Sequence, residues 1–380
     1  MISDGMRVKN VVIGGGIAGL AALWRLKDQE TLLLESQDRV GGWIGRLEGS
    51  PFPFPLGPRT IRCQPNGALV QLLKEVGLSP LPPPSNMKRY VFWRGQLHEM
   101  KLSSPLFKGI KKDLFLGLIK SVPKKDCSAA SFFRTHFSNE VASRLCIPFL
   151  RGVFGQDGEA LSMKSAFPWM SRGPLIRHLF GKKSQFLSLS GGIFSLVEKL
   201  EEKLSSHISL GEKVIKLEKG KVTTTKRDIA CERIISTLPL ENIPHSSITS
   251  VHLYWEKKLP QVNGFGYLVS PEEKGNVLGA IFDSELVSAH CTAITMMLSG
   301  LVEGKEEALD AIKRHLKISQ LPDDIKISFA KEAIPSYPVG YKETKQRYLQ
   351  ETHDWMISLG TSISGISVND VVEGAFAWKL

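Results

Sequence analysis

The chain has 380 residues, 42% hydrophobic and 23% charged, which is long enough for two or three buried cores and ordinary for a globular fold. Its 49 Lys and Arg against 38 Asp and Glu give a net charge of +11, which favours an acidic small molecule, an anionic lipid or a nucleic acid. No zinc-finger, helix-turn-helix or RNA-binding signature accompanies the charge, so no nucleic-acid partner is expected, and no run approaches the length of a spanning helix.

Five cysteines (Cys63, Cys127, Cys146, Cys231 and Cys291) are scattered and form no CxxC pair. That pattern argues against a disulfide framework, a zinc site or an iron–sulfur cluster and fits a reducing compartment. The first residues carry no apolar secretory core, so a cytoplasmic location is expected. The nine histidines show no HxxxH or paired spacing, so no metal or catalytic role is assigned to them.

In chain order, an apolar strand, Val11-Val12-Ile13, runs into Gly14-x-Gly16-x-x-Gly19. Leu20, Ala21, Leu23, Trp24 and Leu26 then read as a helix, and Leu32-Leu33-Leu34 as a second strand ending in Glu35. Glu35 lies 21 positions after Gly14 (35 − 14), close to the spacing of a dinucleotide-binding unit. Gly14 permits the tight turn, Gly16 lets backbone meet a pyrophosphate, and Gly19 lets the helix lie close on the sheet. Free N–H groups at the helix start attract phosphate, while Glu35 accepts hydrogen bonds from a ribose. A second glycine pair follows in Arg39-Val40-Gly41-Gly42. It would let the chain pass beside the pyrophosphate and ribityl of FAD, an approach that a simple nicotinamide dehydrogenase does not need.

The Pro-rich run at 81–86 reads as a boundary. Residues 105–125 alternate apolar side chains with lysines, and 131–150 continue in a helical pattern. Two readings of 105–125 stand: an amphipathic face on an anionic membrane, or a domain helix with solvated lysines. Helices are expected at 193–204 and 305–316, strands at 213–225 and 233–240, and more strands between 250 and 299. The end of the chain, 356–378, reads as strand, glycine loop and helix. A dinucleotide core that starts at residue 10 needs more parallel strands than residues 10–60 supply, and 213–240 and 355–360 are the best sources.

RVGGWI (39–44), FPLGPRTIR (54–62), RGVFGQD (151–157), GFGYLVS (264–270), VLGAIFDS (277–284), AIPSYPVG (333–340) and SGISVNDVVEG (364–374) occur in that order. On these segments the chain resembles the oxygen-dependent protoporphyrinogen and coproporphyrinogen oxidases, amine-oxidase-like flavoproteins. The resemblance spans residues 8–376. It implies an α/β fold: a Rossmann-like FAD-binding domain with an inserted mixed-sheet substrate domain and a helical domain. The FAD-binding parts would be 1–86, 184–249 and 336–380, the helical insert 87–183 and the substrate domain 250–335.

The resemblance also implies the site. Gly14, Gly15, Gly16, Ile17, Ala18 and Gly19 would meet the pyrophosphate, and Glu35 and Ser36 the ribose. Trp43 would lie near the flavin, with Gly57, Pro58, Arg59 and Thr60 forming the loop beside it. Val214 would contact the adenine through its backbone. Ile366, Ser367 and Val368 would sit at a helix start, whose dipole favours an anionic flavin. Arg89 would pair with a substrate carboxylate, as a guanidinium fork suits, and Gly152, Phe265, Leu268 and Met297 would line a flat apolar slot. The implied reaction is six-electron oxidation of protoporphyrinogen IX to protoporphyrin IX with molecular oxygen as acceptor. No catalytic side chain is expected, because the cofactor carries the chemistry. Coproporphyrinogen III is the alternative substrate, an amine oxidase and a non-enzymatic FAD protein are the remaining readings, and oligomeric state stays open. Lys342, after Tyr341, departs from the family, which often has an aromatic near the flavin there.

Overall fold

A run of β-branched and leucine side chains buried on both faces makes a central parallel strand, and the first strand has that character. In the computed structural model β1 spans Met6–Ile13, α1 Ile17–Leu26 and β2 Thr31–Leu34; Val11 and Val12 are fully buried, as is Leu33. The structure describes residues 6–82, 87–123, 125–170, 174–176, 185–287, 289–351 and 354–378. Residues 83–86 of the Pro-rich boundary and Lys124 of the basic segment lie outside the described residues.

β1 pairs in parallel with β2 on one side and with Asp228–Ser236 on the other. Ile208–Ser209 extends the sheet beyond β2, and Met356–Ser358 pairs in parallel with Ile234–Ser236. The spatial order 208–209, 31–34, 6–13, 228–236, 356–358 is that of a doubly wound dinucleotide fold. The later strands are drawn from far along the chain, so the sheet is assembled from three separated stretches. An antiparallel hairpin, Val214–Glu218 with Lys221–Thr224, closes the far edge. α1 is apolar nearly all round because it is covered on several sides, packing with the sheet, Phe194–Leu204 and Val368–Ala377 in one core.

The second sheet has the order 324–335, 245–255, 292–299, 277–281, 266–269, 89–93, 96–99. One face carries Val251, Leu253, Tyr267, Ala280, Met296 and Leu298, which pack against Ala308, Ala311 and Ile312 of the helical segment 305–316. The period of two then sends His252, Leu268, Thr295 and Met297 to the opposite face. Residues 89–99, expected within the helical insert, instead form the hairpin Arg89–Trp93 and Gln96–Glu99 at the edge of this sheet. In KRYVFW, Tyr90 and Phe92 meet the core under the sheet while Val91 and Trp93 meet Leu106 and Phe107, so both faces are apolar and no alternation marks the strand.

The helical unit packs Ala129–His136, Ile147–Phe154 and Met163–Ala166 around Phe132, Phe133, Leu150, Phe154 and Phe167. Helix Ile147–Phe154 has Pro148 in its first turn and ends on Gly155 at φ +66°, the usual asymmetry of start and stop residues. A small antiparallel sheet of Ile61–Cys63, Gln185–Leu189 and Pro80–Leu81 completes the fold.

Candidate active site

The carboxyl ends of β1, β2 and Asp228–Ser236 converge on the glycine loop, where ligands of such sheets bind. Gly14 has φ +97°, and a side chain there would strike Thr237, whose hydroxyl donates to Ile13 O at 2.7 Å. Gly16 is the first residue before α1 and provides no side-chain cap, so the amides of Ile17, Ala18 and Gly19 open the helix. A Cβ on Gly16 would meet nothing within 4 Å, whereas one on Gly19 would overlap the Gly14 carbonyl oxygen.

Glu35 organises the loops around it. Its carboxylate accepts from Gly15 N at 2.6 Å, Gln37 N at 2.9 Å and the Ser36 hydroxyl at 3.1 Å. Its carbonyl accepts from Glu212 N at 2.8 Å, which sets Val214, two residues on, at the adjoining hairpin edge. Glu212 is fully buried and braces that hairpin through Arg227, Ser209 and Thr224, and these contacts pull its carboxyl below the usual range despite burial. Gly41 N donates to Gly15 O at 2.8 Å, so the second glycine pair lies directly on the first loop. Trp43 is half exposed, and Gly57 packs against its carbonyl.

Arg59 is the hinge between this region and the second sheet. Its Nε donates to Asp283 Oδ1 at 3.0 Å, its Nη1 to Gly57 O at 2.6 Å and its Nη2 to Thr295 Oγ1 at 3.0 Å. The two side chains of the ion pair are 8% and 2% exposed. Thr295 donates to Asp283 Oδ2 at 2.6 Å and contacts His252 Nδ1 at 3.0 Å, and His252 Nε2 meets Ser328 Oγ at 2.9 Å. Sequence reasoning placed Arg59 on the flavin loop but missed Asp283, Thr295 and His252, which hold it. The signal was present only as Asp283 in VLGAIFDS. Pro58 and Thr60 are half-buried on the same loop.

Phe282 N donates to Phe265 O at 3.0 Å, and Phe265 N to Lys88 O at 2.8 Å, so Asp283, Phe265 and Arg89 are neighbours. Arg89 is exposed, its guanidinium 5.3 Å from the Phe265 ring centre, with no ion pair among the described residues. Leu268, Gly279 and Met297 stand in one row across the sheet. A Cβ on Gly152 would overlap Leu268, so the helical unit closes down on that row. Gly152, Phe265, Leu268 and Met297 are all half-buried, as slot walls would be. The site therefore brings Arg89, Phe265, Leu268, Met297 and Gly152 together and ties them through Arg59 to the glycine loops.

Ile366, Ser367 and Val368 form the start of helix Val368–Ala377, which Ser367 caps by accepting from Asp370 N at 3.0 Å. Ile366 and Ser367 line a cavity of about 800 Å³ that also takes in Arg62, Cys63 and Gln64, just beyond the loop 57–60. Arg89, Gly152, Phe265, Leu268 and Met297 do not line this cavity; helix Ile147–Phe154 stands between, with Gly152 on Leu268 and with Phe149 and Val153 facing the cavity.

A doubly wound sheet, two interlocked glycine loops and a second sheet set over them define a flavin-dependent oxidoreductase. Residues 17–326 match the flavin containing amine oxidoreductases, and the chain belongs to that family, with FAD as cofactor. Human protoporphyrinogen oxidase is 29% identical over 461 aligned residues, covering 96% of this chain and 96% of the human one. The coproporphyrinogen III oxidase of Bacillus subtilis is 24% identical, covering 98% and 97% of the two chains. A solved structure from Exiguobacterium sp. 255-15 shares the fold with a TM-score of 0.81 at 20% identity, covering 99% and 98%. The residues present fit the cofactor: space is open beside Gly16, and Asn369 at the helix start holds a buried Oδ1 with no hydrogen-bond partner among the described residues. Among the described residues no cluster could hold a metal, and no helix is long and apolar enough to cross a membrane.

Burial, aided by the Arg59 charge, pushes the His252 imidazole down to about 3, and burial pushes His315 down to about 4. Both stay neutral in the fold, whereas in the unfolded chain they protonate near 6.5. The unfolded state thus binds more protons below pH 6.5, and stability falls as pH falls through that window. Each histidine contributes a slope of about 1.4 kcal/mol per pH unit between the two pKa values. Urea midpoints measured from pH 7 to pH 4.5 are expected to fall steeply below 6.5, and His252→Gln is expected to flatten the curve. A flat wild-type curve contradicts the burial of neutral imidazoles.

Proposed function

We propose that the protein oxidises protoporphyrinogen IX to protoporphyrin IX, using FAD and passing electrons to molecular oxygen. The observation that carries this reading is Arg89 standing free beside a half-buried apolar slot, with Arg59 and Asp283 tying that slot to the flavin loop. A reduced tetrapyrrole presents flat apolar faces and an acidic edge. Leu268, Met297, Phe265 and Gly152 accept the faces, and the Arg89 fork orients the edge. The names of the human and Bacillus relatives support the same substrate class.

In this reading Gly14, Gly15, Gly16, Ile17, Ala18 and Gly19 hold the pyrophosphate, and Glu35 and Ser36 the ribose, with Val214 beside the adenine. Trp43, Gly57, Pro58, Arg59 and Thr60 flank the ring system from one side and Ile366, Ser367 and Val368 from the other. FAD when bound supplies the electron acceptor. The chain supplies position: it orients the macrocycle, excludes water from the slot and fixes the loops with buried ion pairs. Oxidation of coproporphyrinogen III is the second reading, and the net charge of +11 favours its more acidic substrate.

The helix Lys111–Ile119 exposes Phe115, Leu116 and Ile119 beside Lys111, Lys112 and Lys120. Apolar groups flanked by lysines suit the surface of an anionic membrane, where this helix would rest without crossing.

The test offers both porphyrinogens to purified, FAD-loaded protein and follows porphyrin fluorescence. Arg89→Ala is expected to lower kcat/KM by about 10- to 100-fold, the worth of a charge-assisted pair, with FAD content unchanged. Turnover of neither porphyrinogen, or equal loss of FAD and activity in Arg89→Ala, overturns the assignment.

A further inference from the structure

Strand Asp324–Pro335 is the outer strand of the second sheet, and among the described residues it pairs only with His245–Trp255. Which of its backbone groups are left over follows from the alternation of an antiparallel ladder. Gly300 N donates to Ser247 O at 2.9 Å, so the odd-numbered residues of 247–253 turn their backbone groups toward strand Thr292–Ser299 and the even-numbered ones toward 324–330. The partners of those even-numbered residues are Asp324, Lys326, Ser328 and Ala330. Ile325, Ile327 and Phe329 therefore direct their N–H and C=O groups outward, where no element among the described residues meets them.

Such an edge is usually blunted by a bulge or by charge. Here the register shift opposite Ser246 and Ile248 comes only beyond Ala330, and Lys326 leans on Asp324 of its own strand at 3.8 Å. Ile325 and Ile327 pack against the core beneath the sheet. Phe329 lies on the same face by the period of two, yet 58% of it is exposed. The stretch 324–330 thus offers unpaired backbone and an apolar row that ends in solvent.

We propose that this edge pairs antiparallel with the same strand of a second copy, about a two-fold axis at Ile327, so that the two sheets join into one. In that register Ile327 meets its counterpart, and Ile325 lies beside Phe329 of the second copy. The outward N–H groups of each copy all meet carbonyls, and the apolar row runs unbroken across the seam. At either end the exposed Asp323 comes up to the exposed Lys331 of the second copy. The strand's own sequence selects this register. An axis at Lys326 sets two lysines face to face, and one at Ser328 sets Asp324 against Glu332. An axis at Phe329 needs the irregular residues 331–333 to continue the ladder. One at Ile325 needs 321–323, where Asp323 N turns back to Tyr254 O at 2.8 Å. The strand's other face carries Ser328, which meets His252 Nε2 at 2.9 Å, so the seam runs behind the network that holds Arg59.

The test measures the mass of the FAD-loaded full chain by sedimentation over a range of concentrations, and a dimer in exchange with monomer is expected. Phe329→Lys enters the row twice, once from each copy, and is expected to raise the dimer Kd by at least about a hundredfold with FAD content unchanged. Lys331→Glu is expected to raise it by about three- to tenfold. Ile327→Cys is expected to form a disulfide between copies under a mild oxidant. Opposed residues that exchange hydrogen bonds have Cα atoms about 5.5 Å apart, within the span of a disulfide. Phe329→Cys is expected not to, since its two thiols would lie about 14 Å apart along the strands. The wild type, with its five native cysteines, sets the background. A wild type that stays monomeric at every concentration, or a dimer that Phe329→Lys leaves intact, overturns the interface. Cross-linking of Ile327→Cys no faster than the background, or of Phe329→Cys as fast as Ile327→Cys, overturns the pairing about Ile327.

Discussion

Asp283→Ala is expected to lower the folding stability by about 3–5 kcal/mol and to release FAD during gel filtration. Asp283 and Arg59 are almost fully excluded from water, and Thr295 and the Gly57 carbonyl accept two further hydrogen bonds from the guanidinium. Removing the carboxylate leaves a buried cation without its counter-charge, which is worse than removing both partners. Arg59 cannot turn to water without abandoning Gly57, so the loop 57–60 loosens at the same time. Arg59→Leu/Asp283→Leu is therefore expected to regain part of the stability but not the FAD retention. Urea unfolding of the two variants beside the wild type, with the flavin absorbance of the purified material, decides it. A single variant as stable and as yellow as the wild type would show that the buried pair does not govern the loop.

That pair also marks where reading the sequence stops. The local features were legible because they depend on neighbours in the chain. Gly14, Gly16 and Gly19 are set by the turn and by helix-to-strand contact, and Phe194–Leu204 shows its buried residues at helical spacing. The supply of late strands followed from counting what a doubly wound sheet needs, and Asp228–Ser236 and Met356–Ser358 fill those places. Arg59 and Asp283 lie 224 positions apart, and no local pattern announces a partner at that distance. His252, read as having no role, is buried in the same network because the strand pairing brings it opposite Thr295. Helix Tyr341–Glu351 escaped notice for a different reason: Tyr341 is its one buried side chain among the described residues, so it has no apolar stripe to read. Helix Ala68–Glu75 did carry the stripe, at Leu69, Leu72 and Leu73, and its pattern could have been found. Arg89 was legible as a candidate, but its strand was not, since both faces of 90–93 are apolar.

Two glycines separated by three positions are expected to fail in different ways. At Gly19 a Cβ would overlap the carbonyl oxygen of Gly14, and both groups are backbone, so neither can swing aside. Gly19→Ala must push α1 off β1 and is expected to destabilise the fold by about 1–3 kcal/mol whether or not FAD is present. Gly16 has φ −66° and ψ 175°, which any residue adopts, and its Cβ would enter open space. Gly16→Ala is therefore expected to leave the unfolding midpoint of the flavin-free protein within experimental error. The open space is where the dinucleotide reading seats the pyrophosphate, so the same methyl should weaken FAD binding by at least about tenfold. FAD titration and urea unfolding of both variants, each in flavin-free form, separate the two effects. If Gly16→Ala binds FAD as the wild type does, the phosphates do not pass over this residue; if it also destabilises the flavin-free fold, the space beside it is needed by the chain itself.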